Sequence, residues 1–279
     1  MSLKDLSNDQ LFVSFREAFA DYEIQLNSDE LFRMLKRRGF QSELSFGAFY
    51  EDRLISFTFN GIGVFNGQRT AYNTGTGTIP DYQGQGLAGE VFRHTEKELK
   101  AAGVEQYLLE VLQHNSTAVR LYKKLGFEIS RSFNYFHQEA GGIQINARQM
   151  EASAALRSIP LDSLENNDFG DFHTSWQNSV SAIRRSPEDF RTLGFFDQER
   201  MLGSLVMDPQ TGDITQIQVD PEHRRKRIGT ALIHKVLQVN EHKEIKLLNA
   251  DTRDTGLTKF LEVLNIPLQG KQYEMIKLL

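Results

Sequence analysis

The chain contains no cysteine. That excludes disulfides, thiolate metal centres, iron–sulfur clusters and a cysteine nucleophile. It also suits a reducing compartment, so a cytoplasmic location is expected. No apolar run approaches the ~18 residues that a membrane helix needs, and no membrane partner is expected. Asp5 and Asp9 interrupt the first apolar residues, so no secretory signal is expected either. A basic excess is missing too: 32 Lys and Arg against 37 Asp and Glu leave a net charge of −5. That balance speaks against a general nucleic-acid binder. The 7 histidines show no metal-ligand spacing, so no metal is expected, and no Ser–His–Asp arrangement can be read. What remains is ordinary globular composition, 39% hydrophobic and 25% charged, over 279 residues. At ~150 residues per domain that length suits two domains.

An internal repeat organises those domains. Thr78-Ile79-Pro80-Asp81-Tyr82-Gln83-Gly84-Gln85-Gly86-Leu87-Ala88 is matched by Val219-Asp220-Pro221-Glu222-His223-Arg224-Arg225-Lys226-Arg227-Ile228-Gly229. Each has an acidic residue after proline, a polar loop and then an amphipathic helix. Pro80 and Pro221 are 141 residues apart; Leu125 and Leu264, in a second matched run, are 139 apart. The first copy reads as helices near Asn8–Ala20 and Ser28–Arg38, then strands Leu44–Tyr50, Leu54–Phe59 and Thr70–Ile79. Helix Leu87–Ala102, strand Glu105–Leu112, helix Thr117–Leu125 and strand Glu128–His137 follow. The second copy reads as helix Phe169–Arg184, strands Arg191–Phe196, Met201–Met207 and Asp213–Val219, and helix Gly229–Asn240. It closes with strand Glu244–Ala250, helix Gly256–Val263 and strand Gln272–Leu278. The expected domains are 1–141 and 153–279, joined by a linker at 142–152.

A polar, glycine-rich loop between a strand and a helix N-terminus suits an anion, because free first-turn N–H groups and the helix dipole face outward. Gly84 and Gly86 let a phosphate approach the backbone. In the second copy, Arg224, Arg225, Lys226 and Arg227 put side-chain charge in the same place, which favours phosphate over a nucleic-acid patch. The bland alternative is a strand–helix turn whose glycines serve geometry alone. Gly84-Gln85-Gly86-Leu87-Ala88-Gly89 also spells a dinucleotide fingerprint, GxGxxG, so that reading stands beside the first. Against it, the motif lies some 80 residues into its domain behind an antiparallel meander, and the second copy loses the glycines.

Downstream runs Asn115-Ser116-Thr117-Ala118-Val119-Arg120-Leu121-Tyr122-Lys123-Lys124-Leu125-Gly126-Phe127. Together with Gln83-x-x-Gly86-x-Ala88, this resembles the GCN5-related N-acetyltransferase (GNAT) family. The resemblance implies an α+β fold: two tandem domains, each a mixed, mostly antiparallel twisted sheet flanked by helices. It implies acetyl-CoA as co-substrate and a small-molecule or peptide amine as acceptor. By the same resemblance, Thr78, Ile79, Gln83, Gly84, Gln85, Gly86, Leu87, Ala88, Asn115 and Tyr122 hold the cofactor. Val219, Arg224, Arg225, Lys226, Arg227, Ile228 and Gly229 stand at the matching places of the second copy, whose expected role is structural, substrate-shaping or a degenerate second cofactor site. Glu110 lies 12 residues before Tyr122, the spacing of family members in which the Glu is base and the Tyr acid.

Each of these residues also has a structural reading. Glu110 could be a solvated strand residue, Tyr122 a packed helix residue, Asn115 a helix N-cap, and Gly126 the left-handed residue that ends a helix. The second copy has Asn249 and Leu261 where the first has Glu110 and Tyr122, so catalysis is expected in the first copy. A non-catalytic acyl-CoA-binding protein is the alternative from another functional class.

Overall fold

The computed structural model describes residues 1–22, 25–145, 156–166 and 169–279. The fold is α+β, in two compact units: Met1–Arg131 with Tyr273–Leu279, and Ser132–Gln272. Residues 146–155, most of the stretch read as a linker, lie outside the described residues.

The first unit begins with α1 (Asn8–Ala18) and α2 (Ser28–Arg38). Both start on reciprocal capping boxes, Ser7 with Gln10 and Asn27 with Glu30, each satisfying two orphan helix donors. β1 (Phe46–Tyr50), β2 (Arg53–Phe65) and β3 (Gln68–Thr78) form the expected antiparallel meander. β2 continues past Phe59, where the residue pattern predicts its end. Asn60 is kept in the strand because its amide donates to the Leu44 carbonyl at 2.7 Å. Gly61 is required there: a Cβ would lie 1.9 Å from the Arg38 carbonyl oxygen. α3 (Leu87–Ala101), β4 (Gln106–Leu112), α4 (Ser116–Lys124) and the start of β5 (Glu128–Glu139) complete the run, with β4 parallel to β3.

The second unit contains β6 (Leu156–Ser158), α5 (Asp162–Asn166), α6 (Val180–Arg184), β7 (Arg191–Asp197), β8 (Arg200–Asp208) and β9 (Asp213–Val219). α7 (Ile228–Val239), β10 (Glu244–Asp251), α8 (Thr255–Val263) and β11 (Leu268–Leu278) follow. The helix expected over Phe169–Arg184 is a correction, because only Val180–Arg184 is α-helical. Ser179 caps that helix through the Ala182 amide. Upstream, Asn178 is drawn onto the sheet instead: its amide donates to the Leu248 carbonyl and its own carbonyl accepts from Gln216. Polar residues that bond elsewhere in this way compete with helix formation.

Within the first unit the strand order is β1-β2-β3-β4-β11-β5, and within the second β11-β5-β10-β9-β8-β7-β6. The last residues of β11 are part of the first unit's core. Met275 is fully buried with Phe92, Tyr107, Tyr122 and Phe127. Glu274 pairs bidentately with Arg131, at 2.8 and 2.6 Å. The repeat extends to an irregularity: β2 and β3 shift register between Phe59 and Asn60, and β8 and β9 between Val206 and Met207. The residue skipped on the partner strand is Thr74 in one copy and Thr215 in the other, again 141 apart.

Candidate active site

The site is assembled where β3 and β4 part. Their parallel pairing runs from Thr70↔Gln106 to Asn73↔Leu109 and ends there. Glu110 is the next residue of β4, and Thr74–Thr78 continue β3. At the far end of β3 the chain turns through Pro80–Tyr82 into the loop before α3.

That loop takes the form an anion cradle needs. Gly84 and Gly86 are both left-handed, at φ 75° and 84°, and a Cβ on either would meet nothing within 4 Å. Glycine is therefore not demanded by packing from inside; the space outside the backbone is open. Gly86 is the N-cap of α3, and no side chain caps the helix, so no capping side chain stands over the first-turn amides, those of Leu87 and Ala88 among them. Gln83, Gly84, Gln85 and Gly86 are exposed, while Leu87 and Ala88 are half-buried. Gln83 turns back to donate to the Thr78 carbonyl at 3.0 Å, and Gln85 makes a longer contact to the Asp81 carbonyl. The Ile79 amide is engaged by the Ile55 carbonyl and the Ile79 carbonyl by the Tyr82 amide. Of the two residues expected to pair with a cofactor arm, only Thr78 presents backbone away from β2.

Glu110 and Tyr122 approach this region from different directions. Tyr107, Leu109 and Val111 face the core cluster that holds Tyr122, so by strand alternation Glu110 points to the other face. There it lies close enough to Tyr72 of β3 to act on its phenol. Burial pushes the Tyr72 phenol well above its ordinary range, and the Glu110 charge adds to that. Tyr72 therefore stays protonated beside the carboxylate. The Arg38 guanidinium lies 6.0 Å from the Tyr72 ring centroid and donates to the Thr74 carbonyl at 3.2 Å. Tyr122, on α4, packs edge-on against Phe92 and Phe127. Burial raises its pKa to about 12, with the Thr76 hydroxyl acting in the opposite direction. Asn115 caps α4 by accepting from the Ala118 amide at 3.1 Å, and its amide makes a 3.4 Å contact with the Tyr22 hydroxyl.

The second loop has the same backbone with different side chains. Arg225 and Arg227 are both left-handed at φ 64°, in the places of Gly84 and Gly86. Arg224 donates to the Val219 carbonyl at 3.2 Å, as Gln83 does to Thr78. It also pairs with Asp171 at 2.7 Å, so this charge is already partnered. Lys226 is exposed and Ile228 is buried. A Cβ on Gly229 would sit 3.1 Å from the Phe260 ring, a packing reason for glycine. Asn249 is buried and fully engaged, donating to Ser175 and accepting from Gln272. Leu261 is apolar and buried. Asp220, Glu222 and His223 cluster nearby, but the Asp220 carboxylate is taken by Arg200 and His223.

Tyr72, Arg38, Thr76 and Asn73 are missed by the sequence reading. Their roles depend on which residues of β3 and β4 lie opposite one another, and no local pattern carries that register. No helix among the described residues is long and apolar enough to cross a membrane.

Comparison with known proteins bears on the fold and the family. A curated relative from Escherichia coli strain K12, [Ribosomal protein bS18]-alanine N-acetyltransferase, is 43% identical over 58 residues, 20% of this chain and 39% of its own length. The match thus spans well under half of that relative. Among solved structures, a tandem GNAT protein from the clavulanic acid biosynthesis pathway aligns with TM-score 0.71 at 12% identity, covering 100% of this chain and 97% of that one. A GCN5-related N-acetyltransferase from Sphaerobacter thermophilus aligns with TM-score 0.68 at 14% identity, covering 96% and 91%. At such identities these structures establish the fold alone. The Acetyltransferase (GNAT) family model matches residues 7–127 and again 158–262, one stretch for each repeat, and the chain belongs to that family.

Proposed function

We propose that the first unit transfers an acetyl group from acetyl-CoA to a primary amine by direct attack, with no covalent enzyme intermediate. The observation that supports this reading is the end of the β3–β4 pairing just before Glu110, with the open Gly84–Gly86 loop beyond the far end of β3. Acetyl-CoA would supply a thioester, whose phosphates suit the loop and the first turn of α3. The residues fit that group: two glycines face open space, and no side chain caps the helix.

An amine with a pKa near 10.4 costs about 4 kcal/mol to deprotonate at pH 7.4, and a positioned base contributes roughly 10²–10⁴-fold. Glu110 is the base, beside Tyr72. Tyr122 serves the leaving thiolate. With a pKa raised to about 12, full proton transfer to a thiol of pKa near 8.5 is uphill by about 5 kcal/mol. Tyr122 therefore stabilises the developing thiolate by a hydrogen bond. The second unit has neither group, so we assign it a structural or substrate-shaping role. The relative named for alanine N-acetylation supports an amine acceptor, either a small molecule or a peptide. Absence of cysteine and of an apolar span supports a cytoplasmic location.

Steady-state thiol release with a panel of amines tests the proposal. Turnover that falls at least 100-fold in Glu110→Gln and about 10-fold in Tyr122→Phe, with acetyl-CoA affinity kept, is expected. Acetyl-CoA binding without turnover on any amine would favour the acyl-CoA-binding alternative. Unchanged rates in both variants would remove the assigned roles.

A further inference from the structure

The second unit closes its own cleft. β9 and β10 pair at Asp213↔Lys246 and part beyond it, whereas β3 and β4 stay paired from Thr70↔Gln106 to Asn73↔Leu109. A gap between parallel strands leaves polar groups on both edges in need of partners. Residues 169–178 supply them. The Asn178 side-chain amide donates to the Leu248 carbonyl of β10 at 2.9 Å, and the Asn178 carbonyl accepts from Gln216 of β9 at 2.6 Å. Ser175 accepts from Asn249 of β10 at 3.0 Å. The Phe169 amide donates to Gln218 of β9 at 3.2 Å. The segment is thus tied to both walls of the gap. The space left beside it is about 90 Å³, well short of the roughly 150 Å³ cavity that holds one benzene. A thioester with its carrier arm does not fit there while the segment is seated.

At the mouth of the gap, all three guanidinium nitrogens of Arg224 are engaged. Nε donates to the Val219 carbonyl at 3.2 Å, Nη1 to the Asp171 carboxylate at 2.7 Å and Nη2 to the Phe169 carbonyl at 3.3 Å. Two of these bonds go to the segment. Phe172, next to Asp171, packs under the Arg253 guanidinium, 4.8 Å from the ring centroid. A carboxylate and a phosphate are both charge-assisted acceptors for a guanidinium. The first copy gives the contrast. Gln83 stands at the place of Arg224, carries no charge, and returns to the Thr78 carbonyl. Among the described residues no segment lies over its loop, since a Cβ on Gly84 or Gly86 would meet nothing within 4 Å.

We propose that residues 169–178 are a strap seated in the second unit's cofactor cleft, with the Asp171 carboxylate standing where a cofactor phosphate would meet Arg224. The strap excludes acetyl-CoA from this unit. This rests on the reading of the two strand–loop–helix turns as cofactor turns. The second unit thus lacks a cofactor site because its own chain fills one, while the basic loop and the parted strands that would form it persist beneath the strap.

Two readouts on the intact chain test this: hydrogen exchange of the strap amides, and the number of acetyl-CoA molecules bound per chain in equilibrium dialysis. The exposed Asp171–Arg224 pair is weak by itself, so Asp171→Ala is combined with Phe172→Ala. That removes both side-chain anchors and leaves the strands and the loop unaltered. The unaltered chain should protect the strap and bind one acetyl-CoA. In the double variant the amides of residues 169–174 should exchange at least about 10-fold faster. A second acetyl-CoA should then bind, and be lost again when Arg224→Ala is added. Exchange in β8 and α7 shows whether the unit stays folded; if the double variant unfolds, the isosteric Asp171→Asn decides by the same two readouts. A second acetyl-CoA bound by the unaltered chain and lost in Arg224→Ala would overturn the proposal, because the cleft would be open. So would a released strap with still one acetyl-CoA bound, or a strap that stays protected in the variant. An unaltered chain that binds no acetyl-CoA would instead show that the reading of these turns as cofactor turns fails, and the strap's role with it.

Discussion

The loop before α3 gives the sharpest separation of folding from binding. Consider Gly86→Ala. Gly86 sits at φ 84°, where an L-residue costs about 1–2 kcal/mol. Removing a glycine from the unfolded chain returns about 0.4–1 kcal/mol. No atom lies within 4 Å of the new Cβ, so there is no clash to add. The net loss of stability is about 1 kcal/mol, small against the total for a domain. The second copy bears this out structurally, since Arg227 occupies the matching place at φ 64° and caps α7. The variant should therefore fold.

Binding is a different matter. The new methyl group occupies space that a phosphate needs if backbone N–H groups hold it directly. Losing one charge-assisted hydrogen bond costs about 1.5–3 kcal/mol, or about 10–150-fold in affinity. Urea unfolding gives the stability change, and equilibrium dialysis with acetyl-CoA gives the affinity. A folded Gly86→Ala chain that binds acetyl-CoA within about 2-fold of the unaltered one would refute the cradle.

Four further outcomes are expected. Arg225→Gly removes a left-handed non-glycine at an exposed position and should raise stability by about 0.5–1 kcal/mol, seen as a higher urea midpoint. Met275→Ala should cost about 2–5 kcal/mol, because that side chain fills the first unit's core from the C-terminal strand; thermal unfolding monitored in the first unit would report it. Tyr72→Phe takes away the hydroxyl that neighbours the Glu110 carboxylate and should lower kcat by about 10-fold with little change in acetyl-CoA KM. The Tyr122 pKa is raised from 10 to about 12, so its hydroxyl stays protonated well above neutrality. The alkaline side of the kcat profile should then show no fall below about pH 10 that disappears in Tyr122→Phe.

Much of the architecture is legible in the residues because it depends on short-range chemistry. Ser7 and Asn27 start helices, Gly39 and Gly126 end them, and the strand–loop–helix repeat shows at offsets of 141 and 139 residues. The misreadings arise where tertiary partners override local pattern. Asn60-Gly61 looks like a breaker, yet Asn60 is bonded to Leu44 and Tyr107, and Gly61 admits the end of α2. The segment before Val180 has enough apolar residues for a helix, yet Gln216 and Leu248 claim Asn178. The site divides in the same way. Glu110, Tyr122 and the glycine loop are singled out by motifs that resemble the GNAT family. Tyr72, Asn73 and Thr76 are not, because contacts within β3 and across to β4 give them their surroundings.

Calorimetric titration of the intact chain with acetyl-CoA tests the central claim most directly. The account predicts micromolar binding at one site per chain, lost when Gly86 is changed and kept when Arg225 is changed. Two equivalent sites, or one site that depends on Arg225 and ignores Gly86, would move the function to the second unit. Binding of NADH with none of acetyl-CoA would contradict the account altogether.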